Sequence, residues 1–142
     1  MAEVFLKRTQ SGFEPDAEHD AVIVQKIPFG HVVKAVITRP RNLQFHRKWW
    51  ALVNVTFNNQ DKYDTIEDYY LELKLKTGHY REHITTKGKI IYVPKSMSFA
   101  SCDELEFSER YSRAIDVILR DFIPTATAEE IDAWVLQVLD FS

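Results

Sequence analysis

Along residues 43–57 apolar side chains return at helical spacing. Plotted at about 100° per residue, Phe45, Trp49, Leu52, Val53, Thr56 and Phe57 fall in one sector, with Leu43, His46 and Trp50 on its margin. Gln44, Arg47, Lys48, Ala51 and Asn54 occupy the other side. The pattern predicts a helix of roughly three to four turns, buried along an aromatic stripe and turning a cationic, amide-bearing face to solvent or a partner. Pro40 biases Arg39 away from helical angles and Asn42 is a natural cap, so the cations gather at a strand-to-helix junction. Free amides at a helix N-terminus can bind phosphate, and flanking arginines add charge-assisted contacts. A merely solvated surface helix fits the same pattern.

Period-two alternation over residues 4–9 predicts a first strand closed by Ser11-Gly12. Pro15 in a first helical turn, followed by Asp16, Glu18 and Asp20, predicts a short helix to about Lys26. Pro28 and Gly30 end it, and the β-branched run over residues 31–38 predicts a second strand leading to Arg39. After the break at residues 58–61, Thr65 to Asp68 resembles a capping box, and a helix from Ile66 should end at Gly78. Residues 80–85 and 89–93, separated by Thr86-Lys87-Gly88, carry the strongest hairpin signal. Ser101 to Glu104 has capping-box spacing before the longest helix, which runs to Phe122. Thr127 starts the last helix, whose stripe of Ile131, Trp134, Val135, Val138 and Leu139 either caps the core or pairs with a second copy. The expected fold is α+β: a single domain over residues 1–142, with a small antiparallel sheet of about four strands packed with four to five helices.

A chain of 142 residues with 45% hydrophobic content suffices for one cored domain. The absence of a run of about 18 to 20 apolar residues argues for a soluble protein with no membrane partner. The N-terminus lacks export features and Cys102 has no internal disulfide partner, which together favour a reducing cytoplasm. The net charge of −3 is strongly segregated. Residues 34–48 and 74–95 each carry +5, whereas residues 103–142 carry −7. A basic and an acidic surface follow, unless the charges interleave in space.

No Gly-rich phosphate loop, nucleophile elbow or HExxH occurs, so no catalytic residue and no cofactor is assigned. His79 and His83 share a face of a strand but lie about 13 Å apart there, too far for one zinc ion, and no metal is expected. His46, beside Trp49, Trp50 and Val53, reads as a hydrogen-bonded core-edge histidine. Acid pairs such as Asp103-Glu104 and Glu129-Glu130 sit in first turns as capping charges. Single-stranded nucleic acid binding needs a cationic track and flat side chains for bases. Arg39, Arg41, Arg47 and Lys48 supply the track, with Lys87, Lys89 and Lys95 as further phosphate contacts, although lysines at the hairpin tip equally suit the keeping of an edge strand soluble. Asn42 and Gln44 supply amides, and Trp49, Trp50, Tyr80 or Tyr92 supply rings.

Residues 39–53, together with 92–100 and 103–107, resemble a phage and prophage protein family of uncharacterised function. The similarity lies in an Arg-Asn…His-Arg-Lys-aromatic core at Arg41, Asn42, His46, Arg47 and Lys48, and in Pro94, Lys95, Ser96, Ser98 and Phe99. The shorter motif Arg39-x-Arg-x-Leu-x-x-x-Arg-Lys-x-Trp-Ala51 is similar to that of NinB-type phage recombination proteins, although Phe45-His46 stands where that group carries Gln-Asn. These resemblances imply a phage-encoded accessory protein in the host bacterial cytoplasm. It would bind nucleic acid, with single-stranded DNA favoured, in recombination or replication without covalent chemistry. The alternative is a protein-interaction module, such as a counter-defence inhibitor of a host nuclease or immune complex, acting through the acidic C-terminal region. A homodimer is compatible with either.

Overall fold

The computed structural model describes residues 3–37, 42–99 and 101–140. Expectations that fall on Thr38, Arg39, Pro40 and Arg41 lie outside these residues. The chain divides between residues 39 and 40 into two compact units.

In the first unit, β1 (Leu6–Thr9) and β2 (Gly12–Pro15) form an antiparallel hairpin, followed by α1 (Glu18–Gln25). Gly12, at φ 146°, adopts an angle that residues with a Cβ avoid, so Ser11-Gly12 turns the chain straight back. Pro15 therefore ends β2, paired with Leu6, instead of opening the helix as expected. Asp20 takes over the start of α1. Its carboxylate accepts the Ala17 amide at 3.2 Å and the Phe5 amide at 2.9 Å, which ties the helix to the chain entering β1. Asp20 is 1% exposed, and burial raises its pKa despite two amide bonds and the neighbouring His19, which favour the anion. A carboxyl with a raised folded pKa binds its proton more tightly when folded. This unit should therefore lose stability as pH rises from about 3.8 through the folded pKa. Thermal unfolding followed at the Phe5 amide should show that slope, and Asp20→Asn should flatten it.

Residues 31–37, predicted as a strand, form no secondary structure, and every one of them is exposed. Val32 is 97% exposed. β-branched residues favour strands because they pack well on a half-buried pleated surface, and no sheet edge accepts this run.

The second unit contains α2 (Leu43–Phe57), α3 (Ile66–Lys76), β3 (Tyr80–Ile84), β4 (Ile90–Pro94), α4 (Glu104–Val117) and α5 (Ala128–Asp140). The fold is α+β, with five α-helices and four strands among the described residues, but the strands form two separate antiparallel pairs instead of one sheet. Thr65 caps α3 by accepting the Asp68 amide, and Gly78 at φ 82° ends it as expected. The β3–β4 pair runs from Tyr80 opposite Pro94 to Ile84 opposite Ile90, around the predicted turn.

The cap of α4 is Asp103, not Ser101: its Oδ1 accepts the Glu106 amide at 2.8 Å. Helix formation waits because the Phe99 carbonyl already accepts the Cys102 amide in a turn. The carbonyls of Phe99 and Cys102 are both engaged by Asn42 as well.

Beyond Val117 the helix continues for one π turn, Ile118–Phe122, closed by Ile123 N donating to Ile118 O at 2.8 Å. Within this turn Phe122 is buried edge-on against Tyr69, at 4.9 Å between centroids. Asp121 lies partly exposed and pairs with Arg120 at 2.9 Å and Lys76 at 3.2 Å. The hydrogen bonds from Arg120 and Lys76 hold its carboxyl down at about 2.

Thr127 caps α5, whose buried Ile131 and Val135 face the core as α5 packs on α2. Ile131 and Val135 of the terminal stripe thus close the core, one of its two expected roles, whereas Val138 stays exposed. Ala51, placed on the polar side by the helical plot, is buried because α3 and α5 both pack on α2.

Candidate functional site

No acidic residue occurs in α2. Gln44, Arg47 and Lys48, at i, i+3 and i+4, share an exposed face of it as expected. Lys48 Nζ stands 4.6 Å from the centroid of the Tyr111 ring, which holds its stem along α4. Behind this face the aromatic stripe packs into the core. Trp49 is 1% exposed and its Nε1 donates to Tyr70 Oη at 3.1 Å. No base can stack on it. Trp50 is half-buried and packs on Tyr70 at 4.8 Å and 40°, and buried His46 lies edge-on to Trp50 at 6.2 Å.

Asn42 precedes α2 but makes no side-chain cap. Its Nδ2 instead donates to the carbonyls of Phe99 at 2.6 Å and Cys102 at 3.0 Å. The residue expected to contact nucleic acid thus has its amide donor committed to stapling the helix start to Phe99 and Cys102. Arg39 and Arg41 lie outside the described residues.

Lys87 and Lys89 are exposed at the tip of the β3–β4 pair, and Lys95 is exposed just beyond it. The pair also exposes Ile84, Ile90, Ile91 and Tyr92. Tyr80 and Tyr92 meet edge-to-face at 4.9 Å, although Tyr92 remains 52% exposed. Tyr92 is the ring of that pair with surface left to offer.

Three further basic residues are not marked as phosphate contacts by the sequence. His79 before β3 and Arg110 on α4 approach the chain that leaves β4, and the Lys74 carbonyl at the end of α3 accepts the His79 amide. His79 Nε2 lies 3.0 Å from the Ser96 carbonyl, and Arg110 Nη1 donates to the Ser98 carbonyl at 3.1 Å. Lys74 belongs to the basic block over residues 74–95, which is a usable signal. Arg110 sits among the acids of the C-terminal region, and nothing local marks it.

Exposed acids, including Glu104, Glu106, Glu109 and Asp116, line α4, and Glu129, Glu130 and Asp132 are exposed on α5. The basic and acidic blocks nevertheless meet in places: Lys76 pairs with Asp121 at 3.2 Å, and Lys48 lies over the Tyr111 ring of α4. A groove of about 600 Å³ lies at the far end of α2, lined by residues 58–62 and 122–125. Its amides serve the fold: Asn59 donates to the Val55 carbonyl and Gln60 to those of Phe57 and Tyr63.

Among the described residues, no helix is long and apolar enough to cross a membrane, and no three His, Cys, Asp or Glu side chains are grouped to hold a metal ion.

No curated protein and no solved structure matches the chain. A family model described as protein of unknown function (DUF1367) matches residues 1–63 and 58–141. With nearly its whole length matched, the chain belongs to that family.

Proposed function

We propose that this protein is a phage-encoded accessory protein that binds nucleic acid, with single-stranded DNA as the favoured ligand, in recombination or replication. The observation that carries this reading is the acid-free helix α2, whose exposed Gln44, Arg47 and Lys48 stand on a buried aromatic stripe. A cationic face carried on a packed helix needs no backbone ordering to meet a polyanion, and phosphate neutralisation releases condensed counterions. Lys87, Lys89 and Lys95 extend the cationic track, and Tyr92 offers a ring for stacking.

Fluorescence anisotropy with single- and double-stranded oligonucleotides across a salt series tests the reading. Affinity should fall steeply with salt. The combined Arg41→Ala, Arg47→Ala and Lys48→Ala variant should bind far more weakly and show a log–log salt slope shallower by about two, at roughly 0.7 for each phosphate no longer neutralised. Undiminished binding by a folded triple variant would sink the assignment.

The exposed acids of α4 and α5 favour a second reading, an interaction module that docks a basic surface of a host protein. Absence of any oligonucleotide binding at low salt would shift the balance to it.

A further inference from the structure

Two basic side chains of the second unit, His79 and Arg110, reach one short stretch of chain, residues 94–99, which itself carries Lys95, and Lys74 acts on His79 from α3. His79 follows the last turn of α3, where its amide donates to the Lys74 carbonyl at 2.9 Å and its own carbonyl accepts the Lys95 amide at 3.1 Å. Its ring reaches the Ser96 carbonyl at 3.0 Å. From α4, Arg110 donates to the Ser98 carbonyl at 3.1 Å and touches Met97 Sδ at 3.9 Å. Lys74 Nζ lies 4.7 Å from the centroid of the Tyr70 ring. The hydrogen bonds fix where His79 and Arg110 sit along the stretch.

The cluster has no directly paired counter-charge, although Glu106 lies one turn from Arg110 on α4 and acts with it on Cys102. Among the described residues no carboxylate pairs with Lys74, Lys95 or Arg110, whereas neighbouring Lys76 is paired with both Glu72 and Asp121. The charged groups facing His79 are Lys74 from α3, Lys95 from the chain after β4, and Arg110 from α4. Burial first, and then these three cations, hold its pKa below the ordinary histidine value, against the pull of the Ser96 carbonyl. A nitrogen beside a carbonyl oxygen must donate, so the neutral ring carries its proton on Nε2 and titrates at Nδ1. Permanent cations held beside a proton-accepting imidazole repel one another until an anion enters among them.

We propose that Lys74, His79, Lys95 and Arg110 form a phosphate-binding site, and that its ligand is a backbone phosphate of a bound strand. The choice of a strand phosphate over free phosphate rests on the nucleic-acid reading above, whereas the site itself does not. An entering phosphate neutralises the cluster and favours imidazolium, because an opposite charge within about 4–6 Å raises a histidine pKa by roughly one unit or more. By linkage, affinity at this site rises up to about tenfold as pH falls through the phosphate-bound and then the free pKa of His79.

Proton–carbon NMR of the His79 ring in the full chain reads this directly, with the other four histidines as internal references. The pH titration is run alone, with inorganic phosphate, and with a short oligothymidylate whose binding is followed in parallel by anisotropy. The expected result is a rise of about one unit in the His79 pKa with the oligonucleotide. Lys95→Gln, at an exposed position, should abolish the rise while leaving the fold intact. Oligonucleotide binding that leaves His79 unmoved overturns this proposal and leaves the nucleic-acid reading standing. A His79 response to inorganic phosphate without oligonucleotide binding supports the site and overturns that reading. No response to either probe overturns the site.

Discussion

Trp49→Ala lowers the unfolding free energy by about 3–5 kcal/mol, the usual cost of truncating a buried tryptophan. Measured by thermal denaturation, that is a fall in Tm of roughly 10–15 °C for a chain of this size. Trp49 is the largest fully buried side chain and joins three parts of the second unit. It lies on α2, meets Tyr70 of α3 at 6.5 Å and 71°, and packs on Phe99 at 6.0 Å and 58°. Phe99 in turn offers its carbonyl to Asn42, so the ring and the amide hold the same corner. Its removal leaves a cavity and strands the Tyr70 hydroxyl, which accepts from Trp49 Nε1. Trp49→Phe keeps most of the ring volume and should recover more than half of the loss. A Trp49→Ala protein with an unchanged Tm would mean that α2 is not anchored as described, and the cationic face would lose its support.

The second large effect is at Tyr69. This residue is fully buried on α3, with Phe57 at 5.8 Å on one side and Phe122 of the π turn at 4.9 Å on another. Its hydroxyl bonds to Thr56 Oγ1 at 2.7 Å, inside the core. Burial pushes the phenol up to about 12, so it stays neutral across the working range. Tyr69→Ala should cost about 3–5 kcal/mol, by analogy with other large aromatic truncations. Tyr69→Phe should cost only about 0.5–1.5 kcal/mol, because Thr56 Oγ1 keeps its bond to the Leu52 carbonyl at 2.7 Å and is not left orphaned. Chemical denaturation of the two variants separates packing from hydrogen bonding. Equal losses would show that the Thr56 contact, and not ring volume, dominates this part of the core.

Two elements of the candidate site differ in how readable they are from sequence. The Gln44/Arg47/Lys48 face follows from helical period alone, because 3.6 residues per turn places i, i+3 and i+4 on one side whatever the helix packs against. The role of Asn42 does not. Its chemistry suits a cap with base-contacting potential, yet its partners are carbonyls 57 and 60 positions away in the chain. Local preference ranks what a side chain can do, and a distant acceptor decides which option is used. Residues 31–37 illustrate the reverse failure. Their β-branched composition describes a surface that would suit a sheet, and no sheet edge receives it.

What the chain determines by itself is local: the helical stripe of α2, the Thr65 and Thr127 caps, the Gly78 stop and the β3–β4 turn. Each rests on interactions within a few residues, where spacing and side-chain chemistry are sufficient. The division of the strands into two pairs, the π turn that places Phe122, the Asn42 staple and the gathering of Lys74, His79, Lys95 and Arg110 belong to the tertiary structure. They depend on which surfaces meet across long stretches of chain, and each such meeting is selected by burial and polar satisfaction throughout the unit, which no local window contains.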